Sequence, residues 1–170
     1  MNQLINDHLC ETRESLVEEI KLLSDSQFNA KPDADCWSIA QVCHHLTLTE
    51  ASFIRVIAWG LKQEDSQQTE RKNVHLILDR TTKVQAPEFL EPAKDFLTVQ
   101  QIIEFLNDSR KKFTTFLETI EDPSILTEKS FKHPVLGELP LDQWVELVYI
   151  HEQRHIEQIK EIKAFIKVEH

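Results

Sequence analysis

The chain has 170 residues, of which 41% are hydrophobic, and its formal net charge is −10. That length suits one domain with a substantial core, and the acidic balance is expected to repel nucleic acid and anionic lipid surfaces. Two glycines and six prolines are too few turn residues for a many-stranded sandwich or barrel, and no apolar run approaches the ~20 residues of a membrane-spanning helix.

Leu4, Ile5, Leu9, Leu16, Ile20 and Leu23 recur at helical spacing and predict a first helix over residues 4–23. It stops near Ser24-Asp25-Ser26, and Lys31-Pro32-Asp33 reads as loop. Ser38-Ile39-Ala40-Gln41 has the form of a capping box, with Trp37 and Val42 as its hydrophobic staple. The second helix therefore begins at Ser38 and runs to about Gly60, burying Ile39, Val42, Leu46, Phe53 and Ile57.

Residues 61–97 lose this periodicity: a polar run from Gln63 to Asn73 precedes an apolar patch, Val74 to Leu78, and then Pro87 and Pro92. They are predicted to form a long crossover with one short helix, a kind of connection that often covers a functional face. Thr98-Val99-Gln100-Gln101 repeats the capping pattern, and Ile102, Leu106, Phe113, Phe116 and Ile120 trace a third helix that ends before Asp122-Pro123. Ser124 to Leu139 reads as a loop, and Pro140 opens a fourth helix extending to about Phe165. The predicted fold is all-α: a single four-helix-bundle domain spanning residues 1–170, with a long crossover between helices two and three.

On the fourth helix, Leu141, Trp144, Val148, Ile159, Ile162 and Ile166 define the buried stripe, and His151 and His155 fall inside it. A lone inward histidine is ordinarily an inert, hydrogen-bonded core residue. Two of them one turn apart each need partners for two ring nitrogens, a demand that a shared metal ion meets while the second nitrogen donates to an outer acceptor. A third ligand is then required. The second helix offers His45 on the flank of its buried stripe, whereas His44 lies nearly opposite and reads as solvated.

His151-Glu152-Gln153-Arg154-His155 also spells the zinc-peptidase pattern His-Glu-x-x-His. That reading needs a downstream third ligand, yet only fifteen residues follow His155 and none is glycine. A carboxylate-bridged di-iron bundle would need a second Glu-x-x-His, which the chain lacks. A mononuclear centre of three histidines fits better.

The stretches Trp37 to Leu46, His133 to Leu139 through Trp144, and His151 to Ile159 together resemble the DinB-like superfamily, particularly its YfiT-type branch, across nearly the whole chain. The resemblance implies a four-helix bundle, frequently dimeric, holding a divalent metal through one histidine of the second helix and two of the fourth: here His45, His151 and His155. It also implies, for members with assigned chemistry, delivery of a low-molecular-weight thiol such as bacillithiol or mycothiol to an electrophile.

A three-histidine centre keeps a position open at which water or a thiol becomes a nucleophile near neutral pH, so thiol S-transfer and hydrolysis of a small molecule are both expected chemistries. Zinc is the first expectation for the ion, although nickel or iron suits the same ligands. Glu152 is the candidate base or outer-shell partner, with a carboxylate at the bundle rim as the plain alternative. His133 could reach the open end of the site, or merely precede Pro134 in a turn. Cys43 falls in the apolar stripe and is read as a small hydrophobe; Trp37 and Trp144 are read as core anchors, and His8, His75 and His170 belong to no constellation. Three cysteines without a CxxC pair, and no leader-like start, predict a cytoplasmic protein. The expected partners are a small-molecule substrate and a second copy of the chain. The competing class is a non-catalytic bundle that a metal merely stabilises.

Overall fold

The computed structural model describes residues 3–81 and 85–166; His170 lies outside them. Four long helices form the bundle: α1 (Gln3–Ile20), α3 (Ile39–Lys62), α4 (Val99–Glu118) and α6 (Leu141–Phe165). The capping boxes at Ser38 and Thr98 are present, each hydroxyl accepting from the N–H of the glutamine three residues on. The expected apolar stripes are buried, from Ile39 to Ile57 on α3 and from Leu141 to Ile162 on α6. Leu4 is exposed, at 58%, and Ile5, Phe116, Ile120 and Ile166 are half-buried.

Four short elements depart from the sequence reading. The first helix ends at Ile20, and Ser24 starts a separate short helix, α2 (Asp25–Asn29), through a third capping box with Gln27. The stretch read as a stop signal is thus also a start signal, and it buries Phe28 completely. Beyond α5 (Ile125–Glu128), part of the expected loop folds as a hairpin of β1 (Ser130–His133) and β2 (Gly137–Pro140), registered Ser130↔Pro140 to His133↔Gly137. Gly137 at φ 77 supplies the left-handed residue of the turn. Strands of four residues are too short for alternation to show in sequence.

The crossover carries two short 3-10 turns, Val74–Leu78 and Glu88–Leu90, and is fastened to the bundle by main-chain groups. The Gln143 amide donates to the Lys72 carbonyl at 2.7 Å and accepts the Lys72 N–H at 2.8 Å. Arg154 donates to the carbonyls of Ile77 and Asp79. His44, expected in solvent, is instead half-buried, and its Nδ1 accepts the Ala93 N–H at 3.0 Å. An imidazole opposite the stripe escapes solvent here because the crossover wraps over it.

The core is split into two apolar clusters. One gathers Leu9, Phe53, Phe113, Trp144 and Val148, and the other gathers Leu16, Leu46, Leu106 and Ile156. On every long helix one charged residue sits between the two: Arg13 on α1, Glu50 on α3, Arg110 on α4 and Glu152 on α6, the carboxylates 3% and 2% exposed. Arg13 pairs with Glu152 at 2.7 Å and with Glu50 at 3.0 Å, while Arg110 pairs with Glu50 and, at 3.0 Å, with Glu152. Arg13 also donates to the Leu106 carbonyl of α4, and Arg110 to the Leu9 carbonyl of α1. Burial opposes the Arg110 charge, yet Glu152 and Glu50 outweigh it and push its pKa up. This four-helix charge layer borders the candidate site.

Candidate metal centre

α3 and α6 bring His45, His151 and His155 together, with one ligand atom from each lying within 4.8 Å of the others. His45 and His155 are 5% and 8% exposed and His151 is half-buried. Ring centroids lie 5.3 Å apart for His45 and His151, 5.0 Å for His45 and His155, and 4.5 Å for His151 and His155. The three side chains named from helical spacing therefore meet at one point.

Hydrogen bonds orient two of the rings. His45 Nδ1–H donates to the Leu90 carbonyl of the crossover at 2.8 Å, and His155 Nδ1–H donates to Gln158 Oε1 at 2.7 Å. Both tautomers leave Nε2 with its lone pair turned to the cluster. His155 Nε2 faces His151 Nε2 at 3.1 Å, and the Thr49 hydroxyl, which donates to the His45 carbonyl, places its oxygen 3.4 Å from His45 Nε2. Converging lone pairs repel one another unless a cation or a shared proton lies among them, so this donor set fits a divalent ion.

Protons are poor occupants of this cluster. Burial pushes the His45 pKa down, partly countered by the Leu90 carbonyl. Burial again dominates at His151, with His155, His45, Arg154 and His133 adding repulsion, and holds it well below the ordinary value. His155 falls to about 3, through burial first and His45 second. The imidazoles are consequently neutral at pH 7 and ready to ligate.

These shifts set the acid behaviour of the metal-free protein. The unfolded histidines titrate near 6.5, whereas the folded ones resist protonation, His155 down to about 3. Their contribution to stability is complete above 6.5 and declines as pH falls from 6.5 towards 3. Chelator-treated protein is expected to melt at progressively lower temperature through that window, and His155→Gln to flatten the decline. A slope unchanged by that substitution would contradict this account.

The remaining candidates occupy other positions. Glu152 is not at the bundle rim: Oε1 accepts from Arg13, and Oε2 accepts from Thr12 at 2.8 Å and from Arg110 at 3.0 Å. His133, in β1, accepts the N–H groups of Val135 and Leu136 at Nδ1, both at 3.1 Å, which puts its proton on Nε2 when neutral. Its ring lies 5.1 Å from Trp144, and its presence lowers the His151 pKa. Cys43 is fully buried, and burial raises its thiol pKa, so it packs as a hydrophobe. Trp144 is buried and donates to the Phe131 carbonyl at 3.2 Å; Trp37 is half-buried beside His45, with ring centroids 5.0 Å apart. The sequence reading missed Leu90 and Gln158 as orienting groups. Gln158, three residues beyond His155 on the same helix, could have been found from spacing; Leu90 acts through a carbonyl, which no side-chain pattern announces.

Among the described residues no helix is long and apolar enough to cross a membrane. The chain is 34% identical over 157 residues to the uncharacterized protein YuaE of Bacillus subtilis (strain 168), covering 92% of this chain and 96% of that one. A solved structure of YfiT from Bacillus subtilis, described as a probable metal-dependent hydrolase with an unusual four-helix bundle topology, superposes with a TM-score of 0.63 at 20% identity over 95% of this chain and 85% of that one. The four-helix bundle protein TT2238 gives a TM-score of 0.63 at 17% identity, covering 94% and 98% respectively. The DinB superfamily profile matches residues 8–159, and with the likeness to YuaE over almost its full length this establishes that the chain belongs to the DinB superfamily.

Proposed function

We propose that the chain is a metal-dependent enzyme that acts on a small molecule at a mononuclear centre formed by His45, His151 and His155. The convergence of three neutral imidazole nitrogens carries this reading. A divalent ion on three such ligands supplies Lewis acidity at its remaining coordination position, a common basis for hydrolysis and for thiol transfer. Zinc, nickel and iron all suit these ligands.

The chain's own part is to hold and orient. Leu90 and Gln158 fix two tautomers, Trp37 and Phe53 border the rings with apolar surface, and His133 offers an N–H near the same cluster. Glu152 is read as a positioning group, because Arg13, Arg110 and Thr12 already engage its oxygens. That occupancy disfavours the peptidase reading, in which this glutamate must be free to take a proton. The description of YfiT supports hydrolysis, and the family resemblance supports S-transfer from a low-molecular-weight thiol.

The test is turnover by zinc- and nickel-loaded protein, with ester or amide panels against thiol plus epoxide or alkyl halide. Loss of activity in His45→Ala with the fold retained is the expected result. Full metal loading without turnover in either panel would favour the non-catalytic bundle.

A further inference from the structure

Two of the three imidazoles have an acceptor for the nitrogen that does not face the cluster, whereas His151 Nδ1 has none among the described residues. A ligating histidine ordinarily donates its second N–H to an outer partner that fixes tautomer and ring orientation. Beside His151 lies a cavity of about 10 Å³, walled by Thr49, Phe53, Val148 and the charged residues Arg13, Glu50, Arg110 and Glu152. This partly open space matches one water molecule, and its walls provide two or more polar partners for an ordered water. Among the described residues Glu50 Oε1 accepts only from Arg110, and Glu152 Oε1 only from Arg13, so each carboxylate keeps acceptor capacity.

We infer that this cavity is a single-water site carrying the hydrogen bond of His151 Nδ1–H to the Glu50 and Glu152 carboxylates. The charge layer is then the outer support of the metal centre, and Glu50 is a positioning residue for His151. This rests on the three-histidine reading. It also accounts for the placement of paired carboxylates one step from a metal ligand, since water-borne contact with carboxylate makes the imidazole a stronger donor. The arginines hold both carboxylates in place through four ion pairs.

The test separates the water from the centre itself. Zinc affinity is measured by competition with a chromogenic chelator, alongside the melting temperature of the metal-free protein, for wild type, Val148→Ile and Glu50→Gln. Val148→Ile adds one methylene to the cavity wall. For Val148→Ile the expected result is a melting temperature held or raised with zinc affinity reduced about 10–100-fold, the usual cost of losing an outer-shell partner. Glu50→Gln is expected to lower both zinc affinity and melting temperature, because it also breaks the buried pairs with Arg13 and Arg110. Zinc binding by wild type with unchanged affinity in Val148→Ile overturns the inference and leaves the metal centre standing. Failure of wild type to bind zinc overturns both. Should Val148→Ile not fold, a crystal structure of the zinc-loaded wild type decides: ordered water within hydrogen-bond reach of His151 Nδ1 and a carboxylate supports the site, and a dry cavity or a direct side-chain partner overturns it.

Discussion

Wild-type protein purified without an affinity tag is expected to take up one divalent cation per chain, and His155→Ala to bind it more than about 100-fold more weakly, beyond the usual range for an outer-shell loss. The argument is geometric. His155 Nε2 lies 3.1 Å from His151 Nε2, and its other nitrogen is committed to Gln158. Removing that ring leaves two imidazoles, too few to retain a first-row ion against water. The loss also appears as stability: an ion present at 100 times its dissociation constant raises the unfolding free energy by about 2.7 kcal/mol, and His155→Ala forfeits that increment. His75→Ala serves as the control, because His75 is exposed and lies outside the cluster. Elemental analysis and melting with and without zinc check both halves. Equal metal content in wild type and His155→Ala would remove the basis for the centre.

The second large effect is expected in the charge layer. Glu50→Ala leaves Arg13 and Arg110 short of a buried partner, an imbalance that ordinarily costs about 3–5 kcal/mol. For a chain of this size each kcal/mol corresponds to roughly 2–4 °C, so the melting temperature should fall by about 6–20 °C. Replacing Arg13, Glu50, Arg110 and Glu152 together with apolar residues of similar volume is expected to cost far less than the sum of the single changes, because desolvation of four charges is relieved at the same time. Thermal melts of the metal-free variants give the comparison. A Glu50→Ala penalty below about 1 kcal/mol would mean that the layer is solvated, as surface pairs are.

The long helices were legible because the apolar stripes and two Ser/Thr-x-x-Gln caps coincide, and the three clustered histidines because two of them interrupt a stripe at helical spacing. The charge layer left the same kind of mark: Arg13 falls between Leu9 and Leu16, and Arg110 between Leu106 and Phe113, at core-facing positions. Each is unremarkable on its own helix. Only assembly shows that the four interruptions share a level, which periodicity along one helix does not encode. The hairpin and α2 were hidden by brevity, and the folded-back crossover by its dependence on main-chain acceptors. The placement of His44 failed for that reason, since a helical wheel sees only one helix.

His45 takes its orientation from a carbonyl 45 residues further along the chain. In a refolding chain, helix pairing by itself therefore leaves one of the three imidazoles free to rotate, and the cluster takes its final geometry only when the connecting segment has settled against α3. For an ion bound as proposed, capture would be a late event in maturation, and its rate would report the docking of the crossover instead of the collapse of the bundle.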